Sequence, residues 1–388
     1  MGYPNAMTFG VYIHYPYCRR LCPYCDFNVF AVESRPDERY RDAVVKEMTR
    51  RRADFLDRPP VTSIYFGGGT PGMWAPKYIG EVITEISHNF GTAPGCEITV
   101  EFNPEDATVA RCTQLLEAGV NRLSFGLQSF NDTILTGLGR VHRAADAVRA
   151  VNEARHAGFT NLSVDLIYGL HGQTVEQALD DVAQAIDEQV HHISTYQLTI
   201  ESQTAFGVRA RRGESLLVDE ERLLLMFDQI RQALAEAGFC PYEISSAARP
   251  GYESVHNHLY WSGGEYLALG AGAHGFRRIG SGGIRWENLK NPKTYMTKTL
   301  ANQPIEQWCE EISPSERLEE RLWTGLRMDQ GVLVSPELTL RFGANVQRLV
   351  DDGLMNMDHD RWRVTNAGRR ILDTVIGQLL SEQVDEGN

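Results

Sequence analysis

Cys18, Cys22 and Cys25 stand in one short run with the spacing C-x3-C-x2-C. Three thiolates this close can hold three irons of a [4Fe–4S] cluster, because cluster iron takes soft sulfur ligands. The run carries no fourth ligand, so one iron is left open to a small molecule. A structural zinc would want two paired knuckles, and no second cysteine pair of that kind follows. Seven cysteines in 388 residues are an odd, sparse set and make no disulfide framework. Cys96, Cys112, Cys240 and Cys309 are scattered and read as ordinary thiols.

Other residues with chemical potential follow. Gly67-Gly68-Gly69-Thr70-Pro71 offers backbone N–H groups with no Cβ in the way, which suits close approach to a ligand or a tight turn. Glu101, Gln128, Arg140 and Asp165 come next, and singly each reads as a rim residue. A carboxylate inside Val164-Asp165-Leu166-Ile167 is harder to dismiss, since a buried charge costs several kcal/mol unless paired. Farther on, His256-Asn257-His258 is followed by Tyr260 and Trp261. Neutral imidazole is a common haem ligand and aromatic rings stack on porphyrins, yet such a cluster is also ordinary core packing. His191-His192 lacks that context and reads as structural.

These residues need a scaffold that brings them to one edge. Short β-rich runs at 11–14, 63–66, 97–102, 122–126, 161–167 and 192–199 alternate with helical periodicity at 36–55, 76–90, 108–118, 144–157, 174–188 and 219–237. Pro36 and Pro76 suit first helical turns, and Thr174 to Gln177 has the form of a capping box. Successive βα units imply a parallel sheet with right-handed crossovers, but too few for a full eightfold barrel. The expectation is an α/β fold, an open, partial (β/α)6 TIM-like barrel over residues 8–245. The cysteine run, the glycine run, Glu101, Gln128 and Asp165 fall at or just past the predicted strand C-termini, the edge where parallel α/β folds build sites. Residues 246–388 read as a C-terminal α+β region. Helices are predicted there at 316–327, 336–342, 345–352 and 367–379, with a two-stranded wing across 354–364. The layout is winged-helix-like over about 315–380.

The net charge of −13 leaves no basic footprint for nucleic acid or anionic lipid, so the winged segment is expected to be structural. No run approaches the ~18 apolar residues of a membrane span, and the N-terminus lacks an apolar signal core. A reducing, cytoplasmic setting suits an exposed cluster. The first strand begins after Met7, which makes Met7 a candidate start.

The stretches 12–18, 67–71, 123–130 and 165–170 resemble the radical S-adenosyl-L-methionine (SAM) superfamily. Within it, the chain is similar over nearly its whole length to the oxygen-independent coproporphyrinogen III oxidase group. The resemblance implies a cluster that chelates SAM and donates the electron that cleaves it. The cluster ligands it implies are Cys18, Cys22 and Cys25. The SAM contacts it implies are Tyr12, Tyr24, Gly68, Gly69, Thr70, Glu101, Gln128, Arg140 and Asp165, with the glycine loop on the amino group and Arg140 on the carboxylate.

Two features choose a branch. The catalytic dehydrogenases carry a further cysteine two residues after the third, where this chain has Phe27. The segment from His256 to Trp261 matches the H-N-x-x-Y-W motif of the HemW family, whose members resemble the dehydrogenases but act as haem chaperones. They pass haem to membrane haemoproteins such as respiratory enzymes. His256 is then the implied haem contact, with His258 as an alternative ligand, and a cofactor-dependent homodimer would suit a carrier. One departure is His171, where the family usually has proline; it removes no ligand. Three readings stand: a haem chaperone, a radical SAM enzyme oxidatively decarboxylating coproporphyrinogen III or acting on another substrate, and a winged-helix regulator with a redox-sensing cluster. Phe27 and the His256 motif favour the first, and the acidic balance disfavours the third.

Overall fold

A period of two runs through every central strand, and it decides which side chains face the barrel interior. In β1 (Phe9–Tyr15), Val11, Ile13 and Tyr15 pack towards helices, while Gly10, Tyr12 and His14 turn the other way. The same alternation places Ser63 and Tyr65 of β2 (Val61–Gly68) and Thr99 and Glu101 of β3 (Thr92–Phe102) inside. Ser124 of β4 (Arg122–Gln128), Asp165 of β5 (Leu162–Tyr168) and Ser194 of β6 (His192–Gln197) complete this interior. The outward residues, such as Ile64, Val100, Phe125 and Val164, are fully buried under the helices. The computed structural model describes residues 8–358 and 360–381, so Met7 and the polar tail lie outside the described residues.

The helices between these strands are α1 (Asp37–Arg51), α2 (Pro76–Phe90), α3 (Val109–Glu117), α4 (Ala144–His156), α5 (Val175–Asp187) and α6 (Glu220–Glu236). The capping box at Thr174 and Gln177 starts α5 as its sequence form requires. The architecture is the α/β one expected, with β1 to β6 parallel and in sequence order.

The sheet does not stop at residue 245. Two short strands, β7 (Cys240–Pro241) and β8 (Ser246–Ala248), pair antiparallel beyond β6. At the other side β9 (Glu265–Leu269) runs parallel to β1, and β10 (His274–Ile279), β11 (Gly282–Asn288) and β12 (Glu306–Ile312) follow antiparallel. The result is one open 12-stranded sheet in the order β12-β11-β10-β9-β1-β2-β3-β4-β5-β6-β8-β7. Glycine-rich, aromatic residues after Tyr252 therefore extend the barrel sheet.

The winged-helix-like unit has its own apolar core, built on Leu322, Leu338, Phe342, Val346, Trp362 and Val375. Its elements differ from expectation at three places. The helices expected at 336–342 and 345–352 are one, α9 (Pro336–Asp351), after α8 (Pro314–Gly325). Leu338, Phe342, Val346 and Leu349 form one buried stripe at helical spacing, and that packing outweighs the helix-weakening Gly343. The final helix divides at Ile371 (φ −125°, ψ 37°) into Asn366–Arg370 and α10 (Leu372–Leu380). The wing gains a third strand, Val332–Leu333, beside Met355–Met357 and Arg361–Val364; residue 359 lies outside the described residues.

Preceding that unit, α7 (Val255–Trp261) carries the His256 motif and inserts its N-terminus against the barrel interior. The Glu97 carboxylate accepts from the backbone N–H groups of Val255 and His256, each at 3.2 Å, where a helix N-terminus favours negative charge. Gly10 makes the approach possible: a Cβ there would lie 2.5 Å from Leu259 and 3.3 Å from the His256 ring.

Candidate functional site

The loop after β1 carries Cys18, Cys22 and Cys25, all half-buried and none in a disulfide. A chain of side-chain contacts closes around it. The Thr70 hydroxyl lies 3.6 Å from Cys18 Sγ and accepts from Asn103 Nδ2 at 3.1 Å. Arg140 donates to Asn103 Oδ1 at 2.8 Å and to the Gly126 carbonyl at 2.9 Å, while its other terminal nitrogen lies 3.4 Å from Cys22 Sγ. Arg140 Nε is buried and has no hydrogen-bond partner among the described residues. Tyr24 is packed beside Phe206, and burial, with Cys22 next in order, drives its hydroxyl far above the ordinary range. Burial likewise pushes the Cys18 thiol up to about 11 and raises that of Cys25.

Gly68 has φ +105°, and a Cβ there would fall 2.4 Å from the His14 imidazole. That conformation lets its N–H donate to Glu101 Oε2 at 3.1 Å. Glu101 Oε1 accepts from the Tyr65 hydroxyl at 2.8 Å. Burial pushes the Glu101 carboxyl up to about 7, and Asp165, with Ser124 at 3.5 Å and Ser194 beside it, is pushed up to about 6. Gln128 ends β4 at φ +69°, across a register shift with β5. A bulge of this kind re-aims a side chain, and the Gln128 amide lies against Gly126, as do Asn103 and Arg140. Tyr12 donates or accepts at 3.0 Å with His14 Nδ1 and stacks over Tyr65.

Tyr12, Gly68, Thr70, Glu101, Gln128, Arg140 and Asp165 thus converge with the cysteine loop at one end of the barrel. His256 does not join them. Its ring lies beneath Tyr12 and Tyr65, stacked on the latter at 5.1 Å. One ring nitrogen is 2.8 Å from Ser63 Oγ, the other 2.8 Å from the Tyr260 hydroxyl, and burial lowers its pKa to about 3. It is a neutral, fully hydrogen-bonded packing residue here, so a ligand role would require it to give up one of these bonds. His258 stacks on Tyr242 at 4.8 Å.

Between the cysteine loop and β9 to β11 lies a cavity of about 820 Å³, within the size range of small-molecule sites. Its walls include Tyr12, Phe27, Tyr260, Tyr266, Phe276 and Trp323. Sequence reasoning placed Asn103 at the strand-end edge without a role and missed Tyr65 and His14; all three hold the named residues in place. Asn103 carried a signal in its Asn-Pro step after a strand; Tyr65 and His14 carried only their inward register.

The residues 12–185 match the family model described as the Radical SAM superfamily, and residues 312–371 match the HemN C-terminal domain. The chain is 34% identical to the Heme chaperone HemW of Haemophilus influenzae, over 98% of this chain and 100% of that one. The chain belongs to the HemW family of radical SAM proteins. The Bacillus subtilis Heme chaperone HemW is 33% identical over 96% of this chain and 99% of its own length. In structure, the fold matches Coproporphyrinogen III oxidase (HemN) from Escherichia coli with a TM-score of 0.82, covering 96% of this chain and 90% of that one, at 22% identity.

For a HemW-family radical SAM protein the cofactors to fit are a [4Fe–4S] cluster and SAM, and the residues accommodate them. Soft sulfur donors stand on one loop, with the Arg140 guanidinium 3.4 Å from the Cys22 sulfur. Among the described residues no set of three His, Cys, Asp or Glu side chains stands at the spacing of a single metal ion. A cubane asks for something else, since thiolates on different irons stand farther apart than ligands of one ion.

Proposed function

We propose that this protein binds haem and delivers it to recipient haemoproteins, without oxidising coproporphyrinogen III. The observation that carries the reading is Phe27, 63% exposed on the cavity wall beside the cysteine loop. The related dehydrogenases place a further cysteine at this position, and a phenyl ring has no proton or hydrogen atom to give. It offers instead an apolar face to a porphyrin.

On this reading Cys18, Cys22 and Cys25 hold the cluster, which when bound supplies the electron for reductive cleavage of SAM. Arg140 positions the SAM carboxylate by a charge-assisted bond and keeps its place through Asn103 and Gly126. Gly68, Gly69 and Thr70 present backbone and hydroxyl groups to the amino end, and Tyr12, Tyr24 and Gln128 flank the cofactor. Glu101 and Asp165 face the ribose hydroxyls as acceptors. The radical SAM core over 8–245 would hold these cofactors and the region 246–388 would close the haem side. A cytoplasmic location and a cofactor-dependent homodimer belong to the same proposal, and membrane recipients such as respiratory enzymes would be reached by docking.

The test is an anaerobic comparison of cluster-reconstituted protein with haem and with coproporphyrinogen III. Saturable Soret binding with no decarboxylated product is the expected result. Turnover of coproporphyrinogen III without saturable haem binding would transfer the chain to the enzyme class.

A further inference from the structure

The haem reading leaves open which side chain meets the iron, and the motif histidine is turned away with both nitrogens occupied. The imidazoles on the cavity wall are those of His14 and His274. His14 is buried, bonded to the Tyr12 hydroxyl at 3.0 Å and to the Asn28 carbonyl at 2.9 Å. His274 differs. It starts β10, its side chain is 53% exposed, and its Nε2 lies 3.2 Å from Glu287 Oε1.

Resting on the haem-binding proposal, we infer that His274 of β10, not His256, is the axial ligand of an iron porphyrin held in the aromatic cavity. The contact is one a metal-binding imidazole uses: one ring nitrogen lies beside a carboxylate that can orient it. Glu287 is buried, and its Oε1, 3.0 Å from Lys290 Nζ, takes up no hydrogen bond among the described residues, so the carboxylate is available to orient the ring. More than half exposed, the ring can turn to present either nitrogen. Trp308 limits that motion from one side, edge-on at 5.8 Å. The indole N–H of Trp261, a cavity residue, is buried without a hydrogen-bond partner among the described residues and offers a hydrogen bond to a carboxylate side arm.

The site also suits a carrier. An axial ligand at an exposed cavity mouth can be displaced by a stronger ligand on the acceptor, whereas a ligand buried as deeply as His256 would have to unpack first.

The experiment is a ferric haem titration of the full-length, cluster-reconstituted chain and its His274→Ala, His256→Gln and Glu287→Gln variants, read by the Soret band and by magnetic circular dichroism. His274→Ala should weaken binding at least about tenfold and lose the imidazole signature, and Glu287→Gln should weaken it about ten- to hundredfold. His256→Gln should keep the wild-type signature. Free imidazole should restore the signature in His274→Ala, a rescue that a merely structural role would not show. A wild-type spectrum in His274→Ala, or weakened binding that imidazole does not rescue, overturns the assignment while leaving haem binding intact. No saturable band in the wild type overturns the haem reading and this inference together.

Discussion

Removing the motif histidine tests whether His256 supports the fold or serves the ligand. In His256→Ala the imidazole is lost from a site closed by Ser63, Tyr65, Tyr260 and Gly10, where the residue is only 2% exposed. Truncating a large buried ring leaves a cavity, and the hydroxyls of Ser63 and Tyr260 each lose a partner. These losses add to about 3–5 kcal/mol. Set against ~5–15 kcal/mol for a typical domain, that is about a fifth of the total or more. Urea unfolding followed by far-ultraviolet circular dichroism should show a midpoint far below wild type. His256→Gln, which can still hydrogen-bond, should recover part of the loss. An unchanged midpoint in His256→Ala combined with abolished haem binding would refute the reasoning and make His256 a ligand. A lowered midpoint warns that loss of haem binding in this variant reports unfolding.

Four further outcomes are expected. The folded state holds His256 neutral down to about pH 3, so the unfolded chain takes up a proton that the folded chain refuses as pH falls below about 6.5. Its contribution is therefore complete above that pH and declines on acidification. Wild type should lose stability relative to His256→Gln by up to about 1.4 kcal/mol per pH unit, measured by urea unfolding between pH 7 and 5; a constant difference would contradict the buried neutral ring. SAM is cationic at its sulfonium and amino groups, so it should bind best when Glu101 is ionised. With Glu101 at about 7, affinity should fall roughly 30-fold on lowering the pH to about 5.5, and Glu101→Gln should be weak and flat; a flat wild-type profile removes the carboxylate from the site. Asp165→Asn should also weaken SAM, and unchanged affinity would exclude that residue. Cys22→Ser should abolish the brown cluster chromophore after anaerobic reconstitution, and full colour would sink the ligand assignment.

The barrel was legible because its signals are local. Alternation in 122–128 and 162–168, the proline starts and the capping box at Thr174 each act within a few residues, so strand and helix positions follow from them. The break expected in α9 fails because Phe342 and Val346 belong to one buried stripe, and a glycine costs less than that packing provides. The strand β9 lacked any local mark of its partner, since its parallel pairing with β1 joins Glu265 to Phe9 across the length of the barrel. Asn103 shows the same limit at the site: it links Thr70 to Arg140 through contacts that no window of sequence contains.

The amino-acid sequence by itself determined the candidate ligand set and the edge on which it stands, because cysteine spacing, glycine placement and strand-end position are properties of consecutive residues. Family membership followed from the same motifs. Only the tertiary structure separates the two histidines as candidates to meet an iron. His256 and His274 are both chemically competent imidazoles, and what separates them is burial and hydrogen bonding. The first is enclosed by Ser63, Tyr65 and Tyr260 from distant segments, the second stands half-exposed on the cavity wall with one nitrogen 3.2 Å from Glu287. Those surroundings exist only once β1, α7 and the β9 to β11 strands have come together.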